Sequence, residues 1–200
     1  MRKIIIPTIF MAIILSIASC GIKDQQEQIV DFVYERDAKD ISKIIYDDWN
    51  WILPHEDFEN REKALNKELW ERNRTGELNI KVLRNKERVI GLISFRKKNV
   101  DVNKSGNIRI ISIAKDFRGK GYDRKLLIAV VNDLFNSGLT SPYLFTHKDN
   151  EKVRTYESLG FKKSKISQDT IEWFKKANIS PDDYPRYVVN KETFKPYTKK

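Results

Sequence analysis

The sequence has very few residues that could form disulfides or bind metals. Its 200 residues include one cysteine, Cys20, and two histidines, His55 and His147. One cysteine cannot close an intramolecular disulfide, and these three residues do not have the spacing of a zinc module. We therefore expect neither a disulfide-rich scaffold nor a metal site.

Long hydrophobic runs are also scarce. The only one lies at 4–18, follows the basic start Met1-Arg2-Lys3 and has 15 residues, whereas a transmembrane helix needs about 20. A short basic segment followed by such a run is typical of a secretory signal peptide. The pattern therefore favours a signal peptide over a permanent membrane span.

The remaining composition is that of an ordinary folded domain. Hydrophobic residues make up 40% of the chain and aromatic residues 11%, which is enough for a core and excludes a disordered chain. The formal charge is +10, but basic and acidic residues are interspersed and no basic–aromatic module is present. We therefore expect a solvated surface and no nucleic-acid partner.

The end of the apolar run resembles the lipobox of bacterial lipoproteins. An aliphatic residue and two small residues, Ile17-Ala18-Ser19, precede Cys20. The resemblance implies cleavage after residue 19, a diacylglycerol on Cys20 and export to the bacterial cell membrane as a lipid-anchored protein. Loss of Arg2 and Lys3 would lower the formal charge from +10 to +8, which leaves a basic domain attracted to anionic headgroups.

Two alternatives to export remain open. Cys20 could be an ordinary buried cysteine beside a signal anchor, or the N-terminus could stay unprocessed, with Met11 as an internal start, in a cytoplasmic protein. The lipoprotein interpretation divides the chain into a signal peptide at 1–19, a linker at 20–28, a domain at 29–192 and a tail at 193–200 that we expect to fray.

Hydrophobic periodicity and turn residues predict a mixed α/β domain. Strands are expected at 29–34, 78–83, 89–96, 108–114, 143–146, from 161 onward, and at 187–189. Helices are expected along the apolar face from Ala38 to Trp49 and at 58–74, 122–136, 150–159 and 167–177, with a turn at Arg36-Asp37 before the first. The order changes from an antiparallel meander to a crossover at strand 108–114.

A glycine-rich turn at 117–123 leads into the predicted helix 122–136. Free backbone N–H groups and the positive end of a helix dipole converge at such a turn, and this geometry binds phosphate. Gly119 and Gly121 allow close approach of a ligand, while Arg118 and Lys120 add positive charge. Because no Gly-Lys-Ser/Thr ending follows, we expect a nucleotide-like diphosphate bound outside the P-loop class.

Two segments resemble the signatures of the GCN5-related N-acetyltransferases (GNAT). Residues 110–121 and the leucines after them are similar to the acetyl-CoA motif, whose pattern is Arg/Gln-x-x-Gly-x-Gly/Ala. Residues 149–161 are similar to the second signature, an Asn-led helix that carries a tyrosine and ends in Gly-Phe. The resemblance covers most of 29–163. It implies a GNAT-like α/β fold, with a mixed, mostly antiparallel sheet flanked by helices, and acetyl-CoA as co-substrate.

The resemblance also assigns roles to individual residues. Tyr156 would be the general acid that protonates the departing CoA thiolate. Asn150 would donate a hydrogen bond to the cofactor, although Asp149 could take that alignment. The other predicted cofactor-binding positions lie on the strand edge, for the pantetheine amides, and in the loop, for the pyrophosphate. They are Ile113, Ala114, Arg118, Gly119, Lys120, Gly121, Tyr122 and Asp123, which closes the motif.

The sequence departs from the family pattern at Asp123, where the family has Gly or Ala. A carboxylate suits an empty helix N-terminus but repels a diphosphate there. Asp123 could point away, CoA could bind weakly, or the loop could have lost its ligand. Strand 108–114 also lacks the Glu that many family members use as a general base, so no base is predicted.

Acidic residues lie beside tryptophans at 47–57. They predict a cationic amine acceptor, bound by charge and cation–π contact; the alternative is solvated helix-end acids and core tryptophans. The predicted function is acyl-CoA-dependent N-acyl transfer by a lipid-anchored enzyme. Because acetyl-CoA is a cytoplasmic metabolite, the alternative is a lipoprotein with the same fold that acts as a binding module with little or no catalysis.

Overall fold

The computed structural model of the chain describes residues 27–52, 58–86, 88–97 and 104–196. The predicted signal peptide, Cys20 and nearly all of the predicted linker lie outside these ranges. Residues 53–57, part of the predicted acceptor side, also lie outside them. Within the ranges, none of the helices is long and apolar enough to cross a membrane.

Seven strands form one mixed sheet in the order β1-β2-β3-β4-β5-β7-β6. The strands are β1 (Gln28–Asp31), β2 (Asn79–Arg84), β3 (Val89–Arg96), β4 (Asn107–Ile113), β5 (Tyr143–Phe145), β6 (Lys162–Ser164) and β7 (Arg186–Val188). All neighbouring strands pair antiparallel except β4 and β5, which are parallel. This confirms the predicted fold class and the change of topology after the third predicted strand of the meander.

Helices cover both faces of the sheet. They are α1 (Tyr34–Asp47), α2 (Trp49–Ile52), α3 (Arg61–Leu65), α4 (Glu71–Arg74), α5 (Tyr122–Asn136), α6 (Val153–Ser158) and α7 (Gln168–Lys176). One core cluster joins α5 and α6 to the sheet, and a second joins α1, α3 and the residues that follow α3 to the other face. The sheet is therefore the middle of three layers.

The start of α1 differs from the prediction. We expected a strand through residue 34 and a turn at Arg36-Asp37, but both residues lie in the first turns of the helix. The carboxylate of Asp37 is fully buried, accepts the N–H of Val33 at 2.9 Å and pairs with Arg36 and Arg84, each at 2.7 Å. Arg84 lies on β2, so this helix start depends on a contact that local sequence does not encode.

The predicted helix 58–74 is interrupted by a π-helical turn, Asn66–Trp70, between α3 and α4. A π turn inserts an extra residue into a helix and is often found at functional sites. Here Leu69 remains buried, while the neighbouring Lys67 and Glu68 and the following Arg72 line a cavity. The interruption therefore supplies polar side chains to the site described below.

Strand β4 contains a bulge and then separates from β5. Ser94 and Phe95 of β3 are opposite Ile110 and Ile108, which leaves Arg109 as the extra residue of β4. β5 pairs only with Asn107 and Ile108. The rest of β4 therefore has an unpaired edge, as bulges commonly produce beside active sites.

The predicted frayed tail is corrected for residues 193–196, which pack on the domain. The N–H of Lys195 donates to the carbonyl of Leu159 at 3.0 Å, and the Phe194 ring lies 5.8 Å from that of Phe135. Gly160, with φ +92°, lies directly beneath the backbone of Thr193. A Cβ at Gly160 would overlap that backbone, which explains the glycine before Phe161 in the second signature.

Candidate active site

A cavity of about 1470 Å³ opens where β4 and β5 separate. Its walls include β4, the end of β5, the start of α6, the π-helical turn and α7. Tyr156, Arg118 and Asn150, three of the residues predicted from the sequence, line it together. The fold therefore brings the two predicted signatures, which are separated in sequence, to one cleft.

The edge of β4 that pairs with no strand includes Ile111, which lines this cleft, and Ile113. The N–H of Ala114 donates to Ile90 in β3 at 2.8 Å, and because backbone direction alternates along a strand, the next edge-facing residues are Ile113 and Ile111. Their carbonyls accept Arg118 Nε at 3.0 Å and Lys152 Nζ at 3.3 Å. An extended ligand can add to such an edge as a strand does.

Ala114 does not share this role, which corrects the prediction. Its N–H is bonded to β3, and its carbonyl accepts the N–H of Phe117 at 2.8 Å. The predicted pantetheine-binding edge therefore moves from Ile113 and Ala114 to Ile111 and Ile113.

The glycine-rich loop has the conformation expected of a phosphate site. Gly119 and Gly121 have φ of +75° and +77°, and no atom lies within 4 Å of where a Cβ would stand on either. α5 begins at Tyr122, so the N–H groups of its first turn have no intrahelical acceptor and point out of the helix N-terminus. The open space over the glycines and these donors fit a diphosphate.

The side chains of the loop mostly turn to other partners. Arg118 donates to the carboxylate of Asp48 at 2.8 Å, and the ammonium of Lys120 lies 5.0 Å from the centre of the Phe117 ring. The hydroxyl of Tyr122 donates to Glu27. The loop therefore offers a ligand mainly its backbone N–H groups, because its cationic side chains already have partners.

Asp123 does not point away from the helix terminus. Its carboxylate accepts the N–H of Arg124 at 2.9 Å, one of the first-turn donors that a phosphate would use. This excludes the first of the three interpretations of Asp123. The carboxylate competes with an anionic ligand for the same end of α5.

Tyr156 is buried on α6 at the wall of the cavity. Its ring centre lies 6.2 Å from that of Phe161 and 6.5 Å from that of Tyr187. Burial, with a smaller effect from the Asp123 carboxylate, raises the pKa of the Tyr156 phenol, while a hydrogen bond with Thr146 opposes the increase. The phenol therefore stays protonated at any physiological pH.

Asn150 organises the turn before α6, and its amide is already engaged. Its Nδ2 donates to Thr146 Oγ1 at 2.8 Å, and its Oδ1 accepts the N–H of Lys152 at 3.0 Å. Asn150 and Thr146 line the same cavity as Tyr156. The direct bond of Asn150 to the cofactor stays a prediction, which would require its amide to leave one of these partners. Asp149, the alternative, is exposed beside His147.

Comparison with known proteins identifies the family. Residues 38–161 match the acetyltransferase (GNAT) family. The chain belongs to this family. Its members are enzymes that use acyl-CoA. This confirms the enzyme class expected from the two signatures, and the matched range contains both of them.

Solved acetyltransferases share the fold of this GNAT chain. Spermidine N-acetyltransferase from Vibrio cholerae, solved with CoA and spermine, is 20% identical, with 85% of this chain and 98% of that chain covered and a TM-score of 0.61. PaiA N-acetyltransferase from Thermoplasma acidophilum, solved with coenzyme A, is 13% identical, with 82% and 99% covered and a TM-score of 0.60.

Ribosomal-protein-S5-alanine acetyltransferase from Vibrio fischeri is 18% identical, with 85% of this chain and 96% of that chain covered and a TM-score of 0.62. At such identities the likeness concerns the fold alone. No curated protein matches the chain.

Sequence analysis missed what two residues of the cleft contact. Asp48 follows α1, accepts Ser112 Oγ at 2.8 Å and pairs with Arg118. Its neighbour Asp47 pairs with Lys115 at 3.3 Å. These two acids were predicted to receive a cationic amine, but both already have basic partners. Because Ser112 and Arg118 are distant in sequence, no local signal could have found the contacts of Asp48.

Lys152 is a further residue that sequence analysis missed. Its ammonium lies in the gap between β4 and α6, on the carbonyl of Ile111. Burial lowers the pKa of Lys152, and the carboxylates of Asp123 and Asp48 partly offset this. Lys152 therefore adds a cation to the wall of the cavity beside β4.

Proposed function

We propose that this chain transfers an acetyl group from acetyl-CoA to an amine. The observation that carries the proposal is the free edge of β4 at Ile111 and Ile113, which leads to the open glycine loop at the N-terminus of α5. Acetyl-CoA supplies an acetyl group already activated as a thioester. The loop backbone at 118–122 would hold its diphosphate, and the β4 edge its pantetheine amides.

The proposed role of Tyr156 follows from its protonation. A phenol that stays protonated donates a hydrogen bond to the sulfur as negative charge develops there. Asn150 and Thr146, which are hydrogen-bonded to each other, line the same cavity as Tyr156. Such a donor stabilises the leaving thiolate most strongly when the bond to the acetyl carbon is nearly broken.

Calorimetric titration with acetyl-CoA tests the proposal, and a variant of Asp123 makes the test more specific. Asp123→Asn removes a negative charge that repels a diphosphate at the N-terminus of α5, so it should tighten binding by about 1 kcal/mol, or roughly fivefold. Asp116→Asn is the matched control, because Asp116 is an exposed loop acid paired only at 3.5 Å with Arg88. Absence of binding at millimolar acetyl-CoA in all three proteins contradicts the proposal.

A second candidate function is a GNAT-fold binding module without catalysis. The observation that favours it is the Asp123 carboxylate on the N–H of Arg124, which occupies part of the anion site. Release of thiol with a panel of amines separates the two candidates. Binding of acetyl-CoA without thiol release would select the module.

We propose separately that the enzyme is anchored to a bacterial membrane through lipid on Cys20, outside the described residues. The support is the sequence Ile17-Ala18-Ser19-Cys20 after a basic start and an apolar run. Palmitate labelling should be present in the full chain, retained in Ser16→Ala and lost in Cys20→Ser. An unlabelled chain whose mass includes 1–19 in native cells contradicts the anchor and selects the cytoplasmic alternative, where acetyl-CoA is made.

A further inference from the structure

One part of the cavity is strongly basic. Where β3, β4 and the π-helical turn meet, four cationic side chains and one carboxylate line it: Lys67, Arg72, Arg96, Arg109 and Glu68. The side chains come from four separate elements, the π-helical turn, α4, β3 and β4. The fold, rather than a run of basic sequence, assembles this group, which we call the arginine cluster and define as Arg72, Arg96 and Arg109.

A single carboxylate is shared among most of these cations. Glu68 lies 3.2 Å from Arg72, 3.7 Å from Lys67 and 3.8 Å from Arg109. Arg96 pairs with Glu77 on the rim, yet its buried Nε has no hydrogen-bond partner in the part of the chain that the structure describes. The cluster therefore keeps positive charge and donor capacity for a further anion.

The position of Arg109 makes this charge relevant to the reaction. Arg109 is the bulged residue of β4, two residues before the edge-facing Ile111. Burial lowers the pKa of its guanidinium, the like charges of Arg96 and Arg72 lower it further, and the carboxylates of Glu68 and Glu77 partly offset this. Among residues of the Ile-rich strand β4, it is the one charged side chain, and this was the available sequence signal.

We propose that the amine acceptor carries a carboxylate or phosphate group, which Arg72, Arg96 and Arg109 bind while the amine meets the thioester. This inference rests on the proposed acetyl transfer. Guanidinium groups bind carboxylate and phosphate through paired hydrogen bonds, and the same cluster repels a polycation. The amine forms a C–N bond as the C–S bond breaks, and the proton that the amine loses balances the proton that the thiol gains.

Matched acceptors test the inference in the full chain. O-phosphoethanolamine differs from ethanolamine by a phosphate group, and alanine differs from alaninamide by a carboxylate. Each pair therefore tests one of the two anion types. We expect kcat/KM for the preferred anion to exceed that of its uncharged partner at least tenfold. Arg109→Gln should bring that ratio towards one. Arg74→Gln, an exposed arginine of α4 outside the cavity, should leave it unchanged.

Contrary outcomes are distinguishable from failure of the acetyl transfer itself. Equal or better turnover of ethanolamine, alaninamide or spermine overturns the inference while the transfer stands. If acetyl-CoA binds without turnover, calorimetric titration with O-phosphoethanolamine and with alanine, in the presence of CoA, decides whether the anion site exists. Binding that is weakened at least tenfold by Arg109→Gln supports the anion site, and absence of binding by both at millimolar concentration overturns it.

Discussion

The hydroxyl-bearing ring of Tyr156 is buried at the wall of the cleft. If that hydroxyl stabilises the leaving thiolate, Tyr156→Phe removes one donor and should lower kcat about a hundredfold or more. Tyr184→Phe is the control, because Tyr184 also lines the cavity but lies on the loop beside His147. Steady-state thiol release measures both. Full turnover by Tyr156→Phe would leave the residue with a packing role only.

The raised pKa of Tyr156 also predicts a dependence of stability on pH. The unfolded chain ionises tyrosine near pH 10, whereas the folded chain keeps the Tyr156 proton to higher pH. The stabilisation is therefore complete below about pH 10 and falls above it, by about 1.4 kcal/mol per pH unit. The free energy of unfolding should decrease more steeply above pH 10 in the wild type than in Tyr156→Phe. Parallel curves in urea titrations would contradict the buried, protonated phenol.

At the scale of elements, strong local patterns predicted structure well. Strand β3 and helix α5 have the predicted bounds, because each combines a clear apolar pattern with turn residues at both ends. The start of α1, the π-helical turn and the bulge at Arg109 were not predicted. Each depends on partners far away in sequence, such as Arg84 for Asp37 or β3 for Arg109.

The same distinction between local patterns and distant contacts applies to the residues of the site. Arg118 and Tyr156 belong to contiguous motifs, so sequence alone predicted these two residues of the cleft. Asp48, Thr146 and the arginine cluster enter it through tertiary contacts alone. Ala114 shows the limit of a local pattern, because only the strand register decides that its N–H faces β3.

Gly160, in the turn after α6, gives a prediction about how element packing affects stability. In Gly160→Ala the new Cβ would overlap the Thr193 backbone at a φ of +92°. Gly138 has a φ of +82° but open space around it, so Gly138→Ala should cost only the backbone strain, about 1–2 kcal/mol. We expect Gly160→Ala to lower the free energy of unfolding by roughly 2 kcal/mol more than Gly138→Ala does. Urea unfolding measures both, and equal losses would contradict the packing of 193–196 on the domain.

At the scale of the whole molecule, the active-site cleft is also the weakest join of the sheet. Strands β1 to β4 connect to β5, β7 and β6 through only two residue pairs, Asn107 with Tyr143 and Ile108 with Leu144. One core cluster spans both halves and includes Leu144 and Tyr187, whereas the buried sheet residues of the other are on β2 to β4. A ligand that pairs with the β4 edge and contacts α5 and α6 therefore bridges the two halves of the sheet.

This bridge predicts a ligand-dependent melting temperature. Acetyl-CoA at a hundredfold excess over its Kd stabilises the folded state by about 2.7 kcal/mol, which corresponds to roughly 5–11 °C for a chain of this size. ADP has the diphosphate but no pantetheine, so at the same concentration its shift should be much smaller. Asp123→Asn should raise the acetyl-CoA shift further, and Asp116→Asn should not. An ADP shift equal to that of acetyl-CoA would contradict the role of Ile111 and Ile113, because the β4 edge would then contribute nothing to binding.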